Sequence, residues 1–314
     1  MPSHRMRSHP AGGVFAATVV LAAVAWSAAA QSLPASQVPA FRADATLVLV
    51  PVAVVDRRGS IVNGLARDAF TLTEDGVRQQ IRSFSEDDSP VSMGIVLDLS
   101  GSMRGALGVA KESLRTLVKD VNPADEAFLN TVSTRPRAYS GFTHDFDDVL
   151  NRIAFESAGG DTALIDTIYE SLKELRAGIH TRKALLVISD GMDNHSRYSK
   201  GELLERAVES DAQIYTVAAG NAAPYAKPME AMEEKRGLLF LDELAAKTGG
   251  MSFTVRGGKE ISEAAARIGQ ALRNQYVIGY VPRGEGRSGR WHRIAVKVAG
   301  PGTRAYARAG YRLN

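Results

Sequence analysis

Three short polar segments of the sequence contain oxygen-bearing side chains that could bind one metal ion. The first is GIVLDLSGSM, in which Asp98, Ser100 and Ser102 occupy every second position after an apolar run. A carboxylate and two hydroxyls are hard donors, and they suit Mg²⁺, which takes six oxygen ligands and usually keeps some waters. The structural alternative is that the serines cap a helix beginning near Ala106 while Asp98 accepts backbone hydrogen bonds.

The other two segments each add one candidate residue. Thr162 follows a glycine pair in GGDTALIDTIY, and Asp190 ends an apolar run in LLVISDGMDN. Taken singly, Thr162 is equally well explained as a helix N-cap and Asp190 as a turn residue. All three segments, however, fall at corresponding places in one repeating pattern of strands and helices. This agreement favours a shared metal site over three independent structural roles.

Neighbouring polar residues are given structural interpretations. Asp193 and Asn194 are interpreted as turn residues that hold the Asp190 loop rather than as ligands. Asp166, one helical turn beyond Thr162, is interpreted as a simple carboxylate of the helix after the glycine pair, with orientation of Thr162 as the alternative. The polar stretch 224–237 is interpreted as an insertion before a helix, which either borders the site or is only a loop.

The elements around these segments predict a parallel sheet. From Ser92 onward, apolar runs of strand length alternate with runs of helical spacing, a pattern typical of parallel strands joined by right-handed crossover helices. Asp98 and Asp190 both stand at the carboxyl ends of predicted strands, where such sheets bind ligands. We therefore predict a doubly wound, mostly parallel, Rossmann-like α/β domain over residues 91–275.

The two flanks of this domain are predicted to be β-rich. Residues 45–90 contain a hairpin signal at Asp75-Gly76, and residues 276–314 contain further alternating runs. Because each flank has too few strands for a core of its own, we predict that they pair to form one small β domain. The apolar residues expected to face inward are Leu47, Leu49, Val52 and Val54 in the first flank, and Ile294, Val296 and Val298 in the second.

The N-terminus has the pattern of a secretory signal peptide. Arg5 and Arg7 precede a short apolar run, and small residues stand at Ala28 and Ala30. We predict a signal peptide over residues 1–30, cleaved after Ala30 and followed by a linker over residues 31–44. The alternative is an uncleaved membrane anchor. The predicted location is therefore periplasmic or extracellular, with membrane attachment only if the segment is retained.

Composition limits the possible partners and metal ligands. The chain has 314 residues with 45% hydrophobic residues, enough for a sizeable core, and a formal charge of only +3. Basic residues do not form a patch with interleaved aromatic residues, so nucleic acid is not an expected partner. The chain contains no cysteine, which excludes disulfides and thiolate metal sites.

The combined motifs resemble those of the von Willebrand factor A domain and its metal-ion-dependent adhesion site. The closest similarity is to exported bacterial proteins described as VWFA-related domain proteins, in which four motifs recur together. In this chain they are DLSGSM, GGDTALID, RKALLVISDGMDN and QYVIGYVP. The resemblance covers about residues 45–312.

This resemblance implies roles for the candidate residues. Ser100 and Ser102 would bind Mg²⁺ or Mn²⁺ directly, Thr162 would bind directly when a ligand is present, and Asp98 and Asp190 would bind directly or through water. One coordination position would remain for an acidic residue of a protein partner. Asp161, next to Thr162, departs from the family pattern. This additional carboxylate could lie in the second coordination shell of the metal, or it could compete with the acidic residue of the partner.

Enzymatic activity is not expected. Ser100 lacks the G-x-S-x-G surroundings of a hydrolase nucleophile, and no histidine is near it in sequence. No second aspartate stands two residues after Asp98, which disfavours a phosphoaspartyl mechanism. We predict no catalytic and no cofactor-binding residues. The expected function is an exported, metal-ion-dependent, adhesion-type protein-binding module. The alternatives are a structural component of a cell-envelope assembly whose metal only stabilises the fold and, third, a hydrolase.

Overall fold

The computed structural model describes residues 47–119, 121–134, 137–138, 141–219, 228–256, 258–282 and 289–312. These residues belong to one compact unit, Ala45–Asn314. The predicted signal peptide and linker lie outside the described residues. The predicted domain boundaries near residues 90 and 275 stay a prediction.

The described chain alternates strands and helices in its middle and has strands at both ends. The strands are β1 (Val48–Val55), β2 (Phe70–Glu74), β3 (Val77–Arg78), β4 (Ile81–Asp87), β5 (Val91–Asp98), β6 (Glu126–Val132), β7 (Arg137–Ala138), β8 (Arg182–Ser189), β9 (Gln213–Ala219), β10 (Ser252–Val255), β11 (Gln275–Tyr280), β12 (Trp291–Val298), β13 (Arg304–Ala307) and β14 (Gly310–Arg312). The helices are α1 (Leu107–Val118), α2 (Phe146–Ala154), α3 (Leu164–Glu174), α4 (Lys200–Glu209), α5 (Pro228–Thr248) and α6 (Gly258–Arg273). Short 3₁₀ helices lie at Arg67–Ala69, Gly101–Gly105 and Leu175–Ala177.

The central sheet has the strand order β10-β9-β8-β5-β6-β7. Its first five strands are parallel, and β7 pairs with β6 in the antiparallel direction at one edge. The chain passes from β5 to β6 on one side and then to β8 on the other side of β5. The predicted doubly wound sheet is therefore confirmed, with the switch point between β5 and β8, where such sheets bind ligands.

Helices cover both faces of this sheet because its central strand is apolar on both faces. Successive side chains of a strand point to opposite faces, so Ile95 and Leu97 of β5 pack in the core beneath α1, α2 and α6. Val96 points the other way and packs in the core beneath α3, α4 and α5. The continuous apolar run of β5 thus fixes the two-sided architecture.

The two flanks combine into two four-stranded sheets, as predicted. Their strand orders are β13-β1-β11-β4 and β14-β12-β2-β3, so each sheet contains strands from both ends of the chain. The two sheets share one apolar core, which contains Val50, Leu72, Ile278 and Ile294. The last alternating run of the sequence is divided between the sheets, because β13 pairs with β1 whereas β14 pairs with β12.

The prediction that four apolar residues of the first flank face inward is wrong for two of them. Leu47 and Leu49 are 43% and 46% exposed. The buried valines of β1 are Val48, Val50, Val52 and Val54. A strand has a side-chain period of two, so residues at odd and even positions cannot share one face. The prediction was right for Val52 and Val54, and Ile294, Val296 and Val298 also contribute to this core.

The predicted hairpin at Asp75-Gly76 is confirmed. Asp75 and Gly76 have φ angles of 48° and 83°, and β2 pairs with β3 directly across them. Positive φ at both central residues defines the tight turn that Asp-Gly favours. Asp75 also accepts a hydrogen bond from the backbone N–H of Arg293, at 2.9 Å, which ties this turn to β12 of the other flank.

Residues 224–237, interpreted in the sequence as a polar insertion that either borders the site or is only a loop, are helical from residue 228 onward. Residues 228–237 form the first turns of the 21-residue helix α5. This stretch is rich in methionine, glutamate, lysine and arginine, which favour helices, and Pro228 suits a first helical position. In the part of the chain that the structure describes, no helix is long and apolar enough to cross a membrane.

Candidate metal centre

A cavity of about 310 Å³ lies at the carboxyl edge of the central sheet. Two of the predicted ligands, Ser102 and Thr162, line it from different loops, together with Gly191 from the loop that follows β8. Asp98 and Asp190 lie close enough for their charges to interact, and both are almost fully buried. The switch point of the sheet therefore brings the three predicted segments together.

Asp98 is the last residue of β5 and is held from two sides. Its Oδ1 accepts a hydrogen bond from the backbone N–H of Ser100 at 2.8 Å, and its Oδ2 accepts one from the Ser189 hydroxyl at 2.6 Å. Burial, together with a smaller contribution from the negative charge of Asp190, outweighs the hydrogen bonds from Ser100 and Ser189 and raises the pKa of Asp98 to about 6. A cation at this place would favour the charged carboxylate.

The hydroxyls of Ser100 and Ser102 form a hydrogen bond with each other, with 3.0 Å between the two Oγ atoms. Neither caps a helix in the predicted way. The 3₁₀ helix after Ser100 has no side-chain cap, and α1 begins at Leu107 with Ala106 in the capping position. The capping alternative is therefore wrong for both serines.

Thr162 belongs to a loop that is fixed against the Ser100 segment. The backbone N–H of Gly101 donates to the carbonyl of Gly160 at 3.0 Å. Helix α3 begins at Leu164, and its capping position is Ala163, which makes no side-chain cap. Thr162 is therefore not an N-cap, although a cap was an equally good explanation of its position in sequence.

Asp190 follows β8 and has one engaged and one available carboxylate oxygen. Its Oδ1 accepts a hydrogen bond from the backbone N–H of Met192 at 3.0 Å, as the turn interpretation expects. Among the described residues, neither its Oδ2 nor the hydroxyl of Thr162 has a hydrogen-bond partner. Both oxygens can therefore serve another ligand.

The loop after Asp190 forms hydrogen bonds with the Thr162 segment. The sequence interpretation did not predict these contacts. The side chain of Asn194 accepts a hydrogen bond from the Thr162 N–H at 2.9 Å, and the backbone N–H groups of Asn194 and His195 both donate to the Thr162 carbonyl. Asp193 accepts from the N–H of Ile165 at 3.1 Å. The interpretation of Asp193 and Asn194 as turn residues was therefore incomplete.

Asp166 also has a larger role than a simple helix carboxylate. Its Oδ1 accepts hydrogen bonds from the N–H groups of Arg197 and Tyr198, at 2.9 and 3.0 Å, and its Oδ2 accepts from the Arg197 guanidinium at 3.0 Å. Burial alone would raise the pKa of Asp166, but these bonds outweigh burial and lower it. Asp166 thus anchors the end of the loop that follows Asp190.

The additional carboxylate Asp161 is exposed and does not line the cavity. Its Oδ2 lies 3.9 Å from His195 Nδ1. Across the residues with described positions, no cluster of three or more His, Cys, Asp or Glu side chains could hold a metal ion. Any metal at this edge therefore depends on the hydroxyls as well as on the two aspartates.

The sheet order and the polar switch point together define an α/β domain of the Rossmann-like class, with the candidate metal centre at the carboxyl edge of its sheet. Residues 93–192 match the family model described as the von Willebrand factor type A domain. Residues 93–192 are therefore similar to a von Willebrand factor type A domain, and the resemblance found in the sequence is confirmed over this range. The matched range includes all five predicted metal ligands.

Several solved structures are similar to this chain at low identity. BatB from Bacteroides thetaiotaomicron is 17% identical, with 58% of this chain and 98% of that chain covered and a TM-score of 0.46. A von Willebrand factor type A protein from Catenulispora acidiphila is 12% identical, with 87% and 75% covered and a TM-score of 0.49. The PilB minor pilin from Streptococcus sanguinis is 12% identical, with 60% and 62% covered and a TM-score of 0.44. No match was found among curated proteins.

Proposed function

We propose that this protein is an exported, non-enzymatic module that binds a protein partner through a metal ion. A von Willebrand factor type A domain supports an interaction or adhesion role in general. The metal would be Mg²⁺ or Mn²⁺. Its proposed ligands are Asp98, Ser100, Ser102, Thr162 and Asp190.

The spacing of the two serine hydroxyls is the observation that carries this proposal. Neighbouring ligands of an octahedral Mg²⁺ ion, at about 2.1 Å from the metal, lie about 3.0 Å from each other. The Oγ atoms of Ser100 and Ser102 are 3.0 Å apart, although neither serine caps a helix. The hydroxyl pair therefore matches one edge of the coordination octahedron.

The remaining donors fit the same ion. The Thr162 hydroxyl and Oδ2 of Asp190 have no hydrogen-bond partner among the described residues, and Asp98 supplies a buried negative charge. An acidic side chain of the partner would complete the coordination.

Calorimetry with Mg²⁺ tests the site. We expect wild-type protein to release or absorb heat on binding one ion weakly, and Asp98→Ala to give no binding heat. Asp242→Ala, which removes an exposed carboxylate of α5, is the matched control and should bind as wild type does. Equal heats for wild type and Asp98→Ala would remove the metal from the proposal.

In the alternative function, the protein is a structural component of a cell-envelope assembly, and the metal ion stabilises its fold without binding a partner. A pull-down from envelope extract, with Mg²⁺ and with chelator, separates the two. Metal-dependent capture of one protein supports the binding module. A chelator that lowers the melting temperature without changing capture supports the structural alternative.

Export is a separate part of the proposal. The predicted cleavage after Ala30 places the mature chain in the periplasm or outside the cell. N-terminal sequencing of protein isolated from the cell envelope checks this. A chain that still begins near Met1 would be membrane-anchored.

A further inference from the structure

The first half of α5 exposes an apolar face beside the metal centre. Met229, Met232 and Leu239 are 69%, 52% and 61% exposed. With Arg236 they follow the spacing 3, 4, 3, so the four side chains lie on one face of the helix. An exposed face of a surface helix is ordinarily polar, and clustered exposed apolar side chains mark interaction surfaces. We call these four residues the α5 face.

The α5 face is continuous with the metal cavity. Arg236 belongs to both, and its neighbour Gly237 lines the cavity opposite Ser102 and Thr162. Gly237 also fixes α5 against the loop after β8, because a Cβ atom at this glycine would lie 2.5 Å from the Gly191 carbonyl oxygen. The α5 face therefore borders the metal cavity.

Two cations at this border are available to a ligand. Lys200 and Arg236 both line the cavity and are exposed, and neither forms an ion pair with another described residue. The Lys200 ammonium lies 4.9 Å from the centre of the Phe240 ring. Of the carboxylates that line the cavity, Asp193 is engaged by Ser196 and Ile165, whereas Glu233 is exposed. Lys200 and Arg236 are thus the groups at this border that a second anionic group, in addition to one on the metal, would contact.

We infer that the α5 face binds the part of the protein partner next to its metal-binding acidic residue, and that this part carries apolar side chains and a second acidic side chain. This inference rests on the proposed function. The metal would orient one carboxylate, Arg236 and Lys200 would attract the second, and the methionines and Leu239 would supply apolar contact. Methionine suits such a surface because its flexible side chain adapts to different apolar partners.

A peptide library tests the inference. The probe is a set of nine-residue peptides with aspartate fixed at the centre and random flanks, selected on immobilised full-chain protein in Mg²⁺ and in EDTA. We expect retention only with Mg²⁺, and enrichment of apolar residues and of a second acidic residue at fixed distances from the aspartate. A synthetic copy of the enriched peptide then serves for affinity measurements.

Variants connect the enriched residues to the α5 face. We expect Met232→Ser and Leu239→Ser each to weaken the peptide about tenfold, or about 1.4 kcal/mol, and Arg236→Gln to remove the preference for the second acidic residue. Calorimetric binding of Mg²⁺ alone should stay unchanged in Met232→Ser and Leu239→Ser, whose side chains do not line the metal cavity. Val77→Ser, at an exposed apolar residue of the β3 hairpin strand, is the matched control and should bind the peptide as wild type does.

The outcomes distinguish this inference from the proposed function. Mg²⁺-dependent retention of peptides with unselected flanks, or equal peptide affinity in the α5 variants, would overturn the inference and leave the proposed function standing. No Mg²⁺-dependent retention of any peptide would overturn both. Binding to vesicles of anionic lipid in EDTA, lost in Met232→Ser, would assign the α5 face to a membrane surface and overturn the inference.

Discussion

Ser189 orients Asp98 without belonging to the predicted ligands. Its hydroxyl donates to Asp98 at 2.6 Å and accepts a hydrogen bond from the N–H of Gly191 at 2.9 Å. One side chain therefore links the end of β5 to the loop that carries Asp190. Residues of this kind fix the geometry of ligands and affect metal affinity indirectly.

We expect Ser189→Ala to lower Mg²⁺ affinity by about 10- to 100-fold, the usual effect of losing a residue that orients a metal ligand. Calorimetry measures the change. Ser113→Ala is the control, because Ser113 is also buried but its hydroxyl bonds to the Val109 carbonyl within α1. Equal Mg²⁺ affinity in wild type and Ser189→Ala would show that Asp98 needs no orientation by β8.

The hydrogen bonds of Asp166 predict a pH-dependent contribution to stability. Its pKa is lowered from the usual 3.8, so the carboxylate binds protons less readily in the folded chain than in the unfolded chain. Its stabilisation is therefore fully present above about pH 4 and is lost as the pH falls through the lowered pKa. Asp166→Asn, which cannot ionise, should be less stable than wild type by about 1–3 kcal/mol near neutral pH.

Urea unfolding of both proteins between pH 3 and pH 7 measures this contribution. We expect a constant difference in the free energy of unfolding from pH 7 to about pH 5 and a smaller difference at pH 3. A difference that stays the same over the whole range would show that the charge of Asp166 does not contribute.

At this scale, sequence predicts residue types better than it predicts their contacts. Asp98, Ser100 and Ser102 stand close together in the chain, so their convergence followed from local spacing. The support from Asn194 to Thr162 joins residues 32 positions apart, and that from Ser189 to Asp98 joins residues 91 apart. Such contacts depend on which strands become neighbours, although a serine directly before Asp190 at a strand end was a visible signal.

Helix α5 packs closely against the loop that follows Asp190, because a glycine stands on each side of the contact. Gly237 stands in the middle of the helix, where glycine costs about 0.5–1 kcal/mol relative to alanine. Its position is explained by the close approach of Gly191, since a Cβ atom on either glycine would lie 2.5 Å from the backbone of the other. The helix and the Asp190 loop are therefore in close backbone contact.

We expect Gly237→Ala to destabilise the fold by about 1–3 kcal/mol through overpacking, and to weaken Mg²⁺ binding because the loop after Asp190 must shift. Thermal unfolding and calorimetry measure the two effects. Gly108→Ala is the matched control. Gly108 is exposed in α1, and a Cβ atom added there would have no neighbouring atom within 4 Å, so its replacement should leave stability unchanged or slightly raised. Unchanged stability and affinity in Gly237→Ala would contradict the coupling.

The errors at this scale have physical reasons. Residues 228–237 have helix-forming composition, but their apolar residues Met229 and Met232 are exposed. Because they are separated by charged residues and face no core, the stretch was interpreted as a polar insertion. In β1 every residue from Val52 to Val55 is buried, because the strand is covered on both sides. Such a run does not alternate, so the inward face could not be assigned, and Leu47 and Leu49 were placed wrongly.

The order of elements along the chain predicted the class of the whole molecule. Alternating strands and helices leave few architectures other than a parallel sheet, and the handedness of crossovers limits them further. The pairing of the flanks followed from their unsatisfied apolar faces. The division of the C-terminal run into β13 and β14 did not follow, because Gly310 packs against Trp291 and the backbone of His292 only in the folded molecule.

The last prediction concerns the dependence of the C-terminal strands on the N-terminal flank. Strand β11 pairs on one side with β1 and on the other with β4, and β12 pairs with β2. Deleting residues 45–86 removes all three partners and exposes Ile278 and Ile294 of the shared core. We expect limited proteolysis of this chain to cleave within residues 276–312 while the α/β region stays intact, whereas a chain that begins at Ala45 resists cleavage. Equal protection of the C-terminal strands in both chains would show that they fold without the N-terminal flank.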